Sequence, residues 1–248
     1  MLELDHIQTL RDIVGDDEIV CNVSLGKDSL ATLYLCKQAF KKVHCLFMSQ
    51  CPGRESETKY IGYVEKKFNV KIHVYPHPEI VNAIMYESYF RHTEVFDPFF
   101  EDPEHDKNDF LHVTEFPGNY KDLLGSYFKN SLGKPNLWTA IGIKAGDSVR
   151  RQKRLLEVGY ADHKKKWLYP IAKYSSNDVY SLLEKIGVKL HEDYLHYGSS
   201  FDGISMKYWV RAYKNDPKTW EQIKFWYPMA ETMIARDRFR REMMESGS

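Results

Sequence analysis

The sequence predicts an α/β fold: a three-layer sandwich on a mainly parallel twisted sheet, with a helical insertion and a helical C-terminal tail. Three observations carry that expectation. Apolar runs of strand length alternate with amphipathic helical stretches through residue 75, the pattern of successive βαβ units. From Pro76 to about Pro135 the alternation fails, and at Leu137 it resumes. After Met206 only helical periodicity remains. With 248 residues, the chain has room for one large α/β domain with decoration rather than two independent cores.

Taken in order, Leu4, Ile7, Leu10, Ile13 and Val14 recur at helical spacing, and Asp16 and Asp17 mark the turn that follows. Ile19 to Val23 reads as the first strand, and Leu30 to Phe40 continues from a glycine turn as a helix. Val43 to Met48 is a second buried strand, followed by the loop SQCPGRES and a helix from about Glu57 to Phe68. Val70 to Tyr75 is the third strand. Residues 76–135, rich in aromatics, Pro, His and acids, read as an insertion with one or two helices and an acidic loop at 97–109. Strands return at Leu137 to Ile143 and at Trp167 to Pro170. The run Ser175-Ser176-Asn177-Asp178 offers an N-cap to a helix from Asp178 to Ile186, which Gly187 closes. In the tail, Asp216-Pro217 supplies a cap and a first-turn proline. These boundaries predict a nucleotide-binding domain over 1–205, including the 76–135 insertion, and a helical extension over 206–248.

Composition narrows the function. Lys plus Arg and Asp plus Glu number 35 each, so the chain lacks the general positive field of a non-specific nucleic-acid binder. Nucleic acid is therefore not indicated by net charge, although the basic runs 164–166 and 236–241 leave a local contact open; such runs are usually solvated faces. No stretch approaches the roughly 20 apolar residues needed to span a bilayer, and the acidic, interrupted N-terminus does not read as a signal peptide. The expected location is the cytoplasm, without a membrane partner. The cysteines, Cys21, Cys36, Cys45 and Cys51, lack CxxC spacing and read as buried free thiols rather than as metal ligands or disulfides. Cys51, in a loop, reads as exposed enough to relay sulfur, with an incidental cysteine as the alternative. No metal site is predicted, because His73 and His77 share no common face, even with His105 and His112 nearby.

The chemistry concentrates at IVCNVSLGKDSLATLYL, which sets Ser24, Leu25, Gly26, Lys27, Asp28 and Ser29 between a strand and a helix. Gly26 permits a positive φ or a close approach to a ligand. Unpaired amides at the helix start, reinforced by its dipole, make an anion site. Lys27 adds a mobile charge, and Ser24 and Ser29 add hydroxyl donors. The bland alternative is a turn of purely topological purpose. A Walker A loop is excluded, since GxxxxGK would need glycine at Cys21 and Ser or Thr at Asp28.

The string S-x-G-K-D-S resembles the PP-loop of ATP pyrophosphatases, the adenine nucleotide alpha hydrolase-like proteins. VSLGKDSLATLYLCKQAF is similar to the branch holding PAPS reductase-like proteins and the small ATP-binding subunit of ATP sulfurylase. Two later segments match family landmarks in order. TAIGIKAGDSVRR (139–151) resembles G-I-R-x-x-E-S-x-x-R, with Gly142 and Ser148 retained, Lys144 for Arg, Asp147 for Glu, and Arg150 or Arg151 as the last base. YPIAKYSSNDVYSLLEKIGVKLHEDYLHYG resembles the block running from a strand and Pro through a capped helix to a Gly-rich turn. Without the family, Lys144, Asp147, Arg150 and Arg151 also read as a solvated helix face with charge pairs. The chain departs from the family at Ser49-Gln50-Cys51-Pro52-Gly53, where an acidic D-T-G is usual.

The resemblance implies that ATP, with Mg²⁺ bridging its phosphates, is cleaved between the α and β phosphates as an acceptor is adenylylated. Lys27 and the loop amides would hold the leaving pyrophosphate, and Lys144 with Arg150 or Arg151 would face the other side of the phosphate chain. The phosphate-binding set is then Ser24, Leu25, Gly26, Lys27, Asp28, Ser29, Gly142, Asp147 and Ser148. The acceptor is not legible. Two alternatives remain. One is a nucleotide-binding subunit or sensor that needs a protein partner, or works as a homo-oligomer, as the sulfurylase subunit works with a GTPase. The other is a sulfonucleotide reductase, disfavoured because no cysteine follows Cys51.

Overall fold

A computed structural model of the chain describes residues 2–77, 132–134, 137–201, 206–227 and 229–246. The insertion expected at 76–135, with its acidic loop, its aromatics and His105 and His112, lies almost wholly outside the described residues. The chain divides into two compact units: Met1–Met48, Ser56–Tyr75 and Lys134–Glu192 form one, and Ser49–Glu55, Pro76–Gly133 and Asp193–Ser248 the other.

In the first unit, helix α1 (Leu2–Val14) leads to strand β1 (Glu18–Asn22), helix α2 (Lys27–Ala39), strand β2 (Lys42–Ser49), helix α3 (Glu55–Phe68) and strand β3 (Ile72–Pro76). Strand β4 (Thr139–Ala140) follows, then a 3₁₀ turn at Ala145–Asp147, helix α4 (Val149–Val158), short strands β5 (Ala161–Asp162) and β6 (Trp167–Leu168), and helix α5 (Ser176–Lys185). The six strands form one sheet in the order β3-β2-β1-β4-β6-β5. β1 runs parallel to β2 and β4, and β4 parallel to β6; only the β5–β6 pair is antiparallel among the registers defined. The predicted mainly parallel α/β fold is thus observed.

Period-two alternation puts Ile19, Cys21 and Val23 of the first strand segment on one face with Cys45 and Phe47 of β2, in the main core. Leu10, Leu30, Leu33, Val64, Phe68, Val179 and Leu183 from α1, α2, α3 and α5 complete that core. Val20 and Leu46, on the opposite face, are equally inaccessible to solvent. Burial on both faces explains why these strands read as unbroken apolar runs.

The differences from expectation have local causes. The strand foreseen at 137–143 has ladder pairing only at Thr139–Ala140; Ile141 still donates to the Leu168 carbonyl at 2.9 Å, and the backbone then leaves the sheet toward the 3₁₀ turn. β5 is two residues long, too short to show a period. Helix α5 begins two residues earlier than foreseen, because Ser175 is the cap: its Oγ accepts from the Asp178 amide at 3.1 Å while the Asp178 carboxylate accepts from the Ser175 amide at 2.7 Å. Ile186 is its C-cap rather than its last residue, and Gly187 closes it at φ +65°.

The second unit holds helices α6 (Asp193–Tyr197), α7 (Met206–Asn215), α8 (Pro217–Trp226) and α9 (Ala230–Ser246) among the described residues. Asp216 caps α8 through the Thr219 amide at 3.1 Å, and Pro217 fills its first turn, as the sequence predicts. The loop after β2 is tied to these helices: Gln222 Nε2 and Trp226 Nε1 each donate to the Pro52 carbonyl at 2.7 Å, and the Tyr227 hydroxyl donates to the Gln50 carbonyl at 2.6 Å. Arg54 is buried, paired with Asp193 at 2.5 Å and stacked over Phe201. Cys51 in this loop is fully buried, against the exposure expected of it; all four cysteines are buried free thiols. No described helix is long and apolar enough to cross a membrane.

Candidate nucleotide phosphate site

The sheet order locates the site. From β1 the chain proceeds to β2 on one side, whereas β4 lies on the other side of β1, so the direction of winding reverses between β1 and β4. Loops leaving two adjacent parallel strands at such a reversal part from one another and open a crevice at the carboxyl ends. The segments at those ends are 23–29 after β1 and 141–148 after β4.

The first segment turns sharply into α2. Its positive φ falls on Leu25, at 59°, and not on Gly26, whose φ of −83° and ψ of 158° are those of an extended N-cap residue. Leu25 tolerates the strain because its side chain is anchored in the core. Gly26 contributes differently from expectation: as N-cap it makes no side-chain capping bond. The start of α2 therefore turns its first backbone amides toward the crevice end of the helix dipole without a side-chain cap among them. Ser24 is exposed; Ser29 is buried, its hydroxyl donating to the Gly26 carbonyl at 2.8 Å.

The second segment closes onto the first at Gly142. A Cβ there would lie 2.9 Å from the Asp28 carbonyl carbon and oxygen and 3.0 Å from the Ser29 amide nitrogen, so a side chain at this position meets backbone. That approach brings five charged groups into one ladder. Lys27 Nζ sits 2.9 and 2.8 Å from the two Asp28 oxygens. Lys144 Nζ lies 2.7 Å from Asp28 Oδ1 and 2.8 Å from Asp147 Oδ1. Asp147 Oδ2 accepts from the Lys144 amide and from Arg151 Nη1, each at 2.9 Å. The signs alternate from Lys27 to Arg151, three cations against two carboxylates.

Burial differs along the ladder. The Lys144 side chain is 2% exposed, Lys27 15% and Arg151 49%. Burial opposes the charge of Lys144, yet the Asp147 and Asp28 carboxylates outweigh it and hold the ammonium above its ordinary pKa. Burial likewise opposes ionisation of Asp147, and the bonds from Lys144 and Arg151 hold its carboxyl below the usual range. Asp28 pairs with Lys27 through both of its carboxylate oxygens. Of the two candidate bases, Arg151 joins the ladder, while Arg150 is exposed in the first turn of α4. The Ser148 hydroxyl accepts from the Arg151 amide at 3.2 Å and caps α4. Tyr180 of α5 was not foreseen: its ring centroid lies 5.5 Å from Lys27 Nζ, and no spacing rule links positions so far apart in sequence.

The chain is similar over part of its length to proteins of known family. Residues 18–113 match the family model described as the phosphoadenosine phosphosulfate reductase domain. Over that segment, which holds β1, α2, β2, α3 and β3, the chain is similar to PAPS reductase-like proteins. A GMP synthase (glutamine-hydrolyzing) from Solidesulfovibrio magneticus is 33% identical over 70 residues, 27% of this chain and 14% of that protein's length. Among solved structures, an NH3-dependent NAD synthetase from Campylobacter jejuni aligns at 16% identity, covering 96% of this chain and 93% of its own, with TM-score 0.46. A PAPS reductase from Candida auris in a phosphate complex aligns at 14% identity, covering 75% and 80%, with TM-score 0.45.

Proposed function

We propose that the chain binds ATP, or a related adenine nucleotide, with its phosphates at the start of α2, and transfers the adenylyl group to an acceptor with release of pyrophosphate. The supporting observation is the helix start itself: an N-cap that makes no side-chain capping bond, at the positive end of the helix dipole and beside a lysine. Lys27 and the amides of residues 27–29 would receive the β and γ phosphates and stabilise the charge that develops on the leaving pyrophosphate. Arg151, half exposed and steadied by Asp147, would face the phosphate chain from the β4 side. Arg150 stands one residue away as an accessory cation.

The donor set does not fit a resident metal. Asp28 and Asp147, the carboxylates of this site, are each engaged by two cationic side chains, and no group of three ligand-type side chains gathers among the described residues. Mg²⁺ would therefore enter as part of the substrate, carried on the nucleotide's own phosphates. Sulfonucleotide reduction is disfavoured, since it needs an accessible thiolate and all four cysteines are buried. Burial lifts the Cys45 thiol further from reactivity, and a hydrogen bond with Cys36, together with burial, does the same for Cys21. We place the protein in the cytoplasm as a soluble nucleotide-dependent enzyme whose acceptor, and any partner subunit, are still to be found.

Direct binding of ATP, AMP and PAPS followed by mass analysis of products with sulfate, nucleobase and tRNA acceptors tests the reading. ATP-dependent pyrophosphate release is expected with at least one acceptor. ATP binding with no pyrophosphate from any of them points instead to a subunit or sensor.

A further inference from the structure

Asp28 is shared. Its Oδ1 lies 2.9 Å from Lys27 Nζ and 2.7 Å from Lys144 Nζ, so one carboxylate is paired with two ammonium groups. The two lysines are not equivalent. Lys27 sits in the first turn of α2 with its side chain 15% exposed, under the ring of Tyr180. Lys144 is 2% exposed, and an ammonium at that depth needs a paired carboxylate, which Asp28 and Asp147 both supply. We infer that Lys144 is a positioning residue, a fixed counter-ion for Asp28 that frees Lys27 to leave its carboxylate for a bound phosphate chain.

The inference rests on the nucleotide reading above and assigns the site's lysines separate tasks. When Lys27 turns to a polyphosphate, Asp28 loses its partner and stands beside a ligand of its own sign. Without a second cation, that carboxylate would hold Lys27 back and repel the phosphates. Lys144 removes both penalties because it pairs with Asp28 from the opposite side. Gly142 makes the arrangement reachable: its close approach to the Asp28–Ser29 backbone sets position 144 within ion-pair distance of position 28. Asp147 holds Lys144 from behind through both its side chain and its amide.

Calorimetric titration of MgATP into the full chain and five variants tests this. Lys144→Met should bind ATP at least tenfold more weakly, and Lys144→Arg should recover part of the loss. Asp28→Asn keeps Lys144 paired to Asp147 and should bind several-fold tighter than the wild type, because the carboxylate that holds Lys27 and repels the phosphates is gone. Asp28→Asn combined with Lys144→Met should return to within about threefold of Asp28→Asn alone. A merely structural Lys144 would make the double variant as weak as Lys144→Met, and that result overturns the inference. So does a tenfold loss in Asp28→Asn, a measurement that stands even where Lys144→Met fails to fold. If the wild type binds no adenine nucleotide, the nucleotide reading itself fails. If it binds and Lys27→Ala weakens it but the double variant shows no recovery, the role of Lys144 alone is wrong.

Discussion

Gly142 shows how a single residue carries the site. A methyl group at this position meets backbone atoms of Asp28 and Ser29 at 2.9–3.0 Å, and a backbone cannot swing aside as a long side chain can. Gly142→Ala should therefore cost about 1–3 kcal/mol of stability by overpacking and shift the ladder, weakening nucleotide binding as well. Urea denaturation beside ATP titration checks both effects. Glu18 offers a test by pH. Bonds from Lys134 and His44 hold its carboxyl down at about 2, below its ordinary 4.5. The lowered value stabilises the fold above pH 4.5, and that stability is lost as pH falls toward 2. Thermal midpoints should thus separate wild type from Glu18→Gln most at neutral pH and converge on acidification; a constant gap would contradict the pairing. At this scale the polar concentration at the start of α2 was legible, because Lys, Asp and two Ser at one helix start exceed what a turn requires. The pairing of Lys144 with Asp28 was not, since the two lie on segments that only the sheet brings together.

Elements were legible where they carry local punctuation. Ser175, Gly187 and Asp216-Pro217 mark helix ends by chemistry that acts within four residues, and each occupies the predicted role. Asp216 does more than cap α8, because its carboxylate also accepts from the Tyr197 hydroxyl at 3.2 Å. Asp216→Ala should cost about 1–2 kcal/mol, and Asp216→Asn much less, since asparagine keeps a capping oxygen. Equilibrium unfolding of the two variants distinguishes a cap from a simple charge effect. The reach of β4 was misjudged because apolar Ile141 and Ile143 extend its pattern after the ladder ends. Both pack instead in a small cluster with Leu155 and Tyr169, so burial outlasts strand geometry there. The positive φ at Leu25 was hidden for a related reason: glycine is the residue that invites such a conformation, and the glycine stands next to it.

Over the whole molecule, formal charge sums to zero at pH 7, so the proposed nucleotide would be drawn by the local field at the start of α2 rather than by the chain as a whole. The fold supplies that field through topology. β1 and β4 lie side by side and parallel, and their two exits place a helix start and the ladder of lysines and acids together at the same edge of the sheet. The alternation of strands and helices was enough to predict the sheet; the strand order, with its reversal at β1, is a long-range property that periodicity does not encode. The most direct test is isothermal titration of MgATP into the wild-type chain and Lys27→Ala. Saturable binding by the wild type, weakened at least tenfold in the variant, is predicted, the equivalent of a lost charge-assisted contact of about 1.5–3 kcal/mol. Absence of binding by the wild type, or equal affinity in both proteins, would contradict a phosphate site at the start of α2.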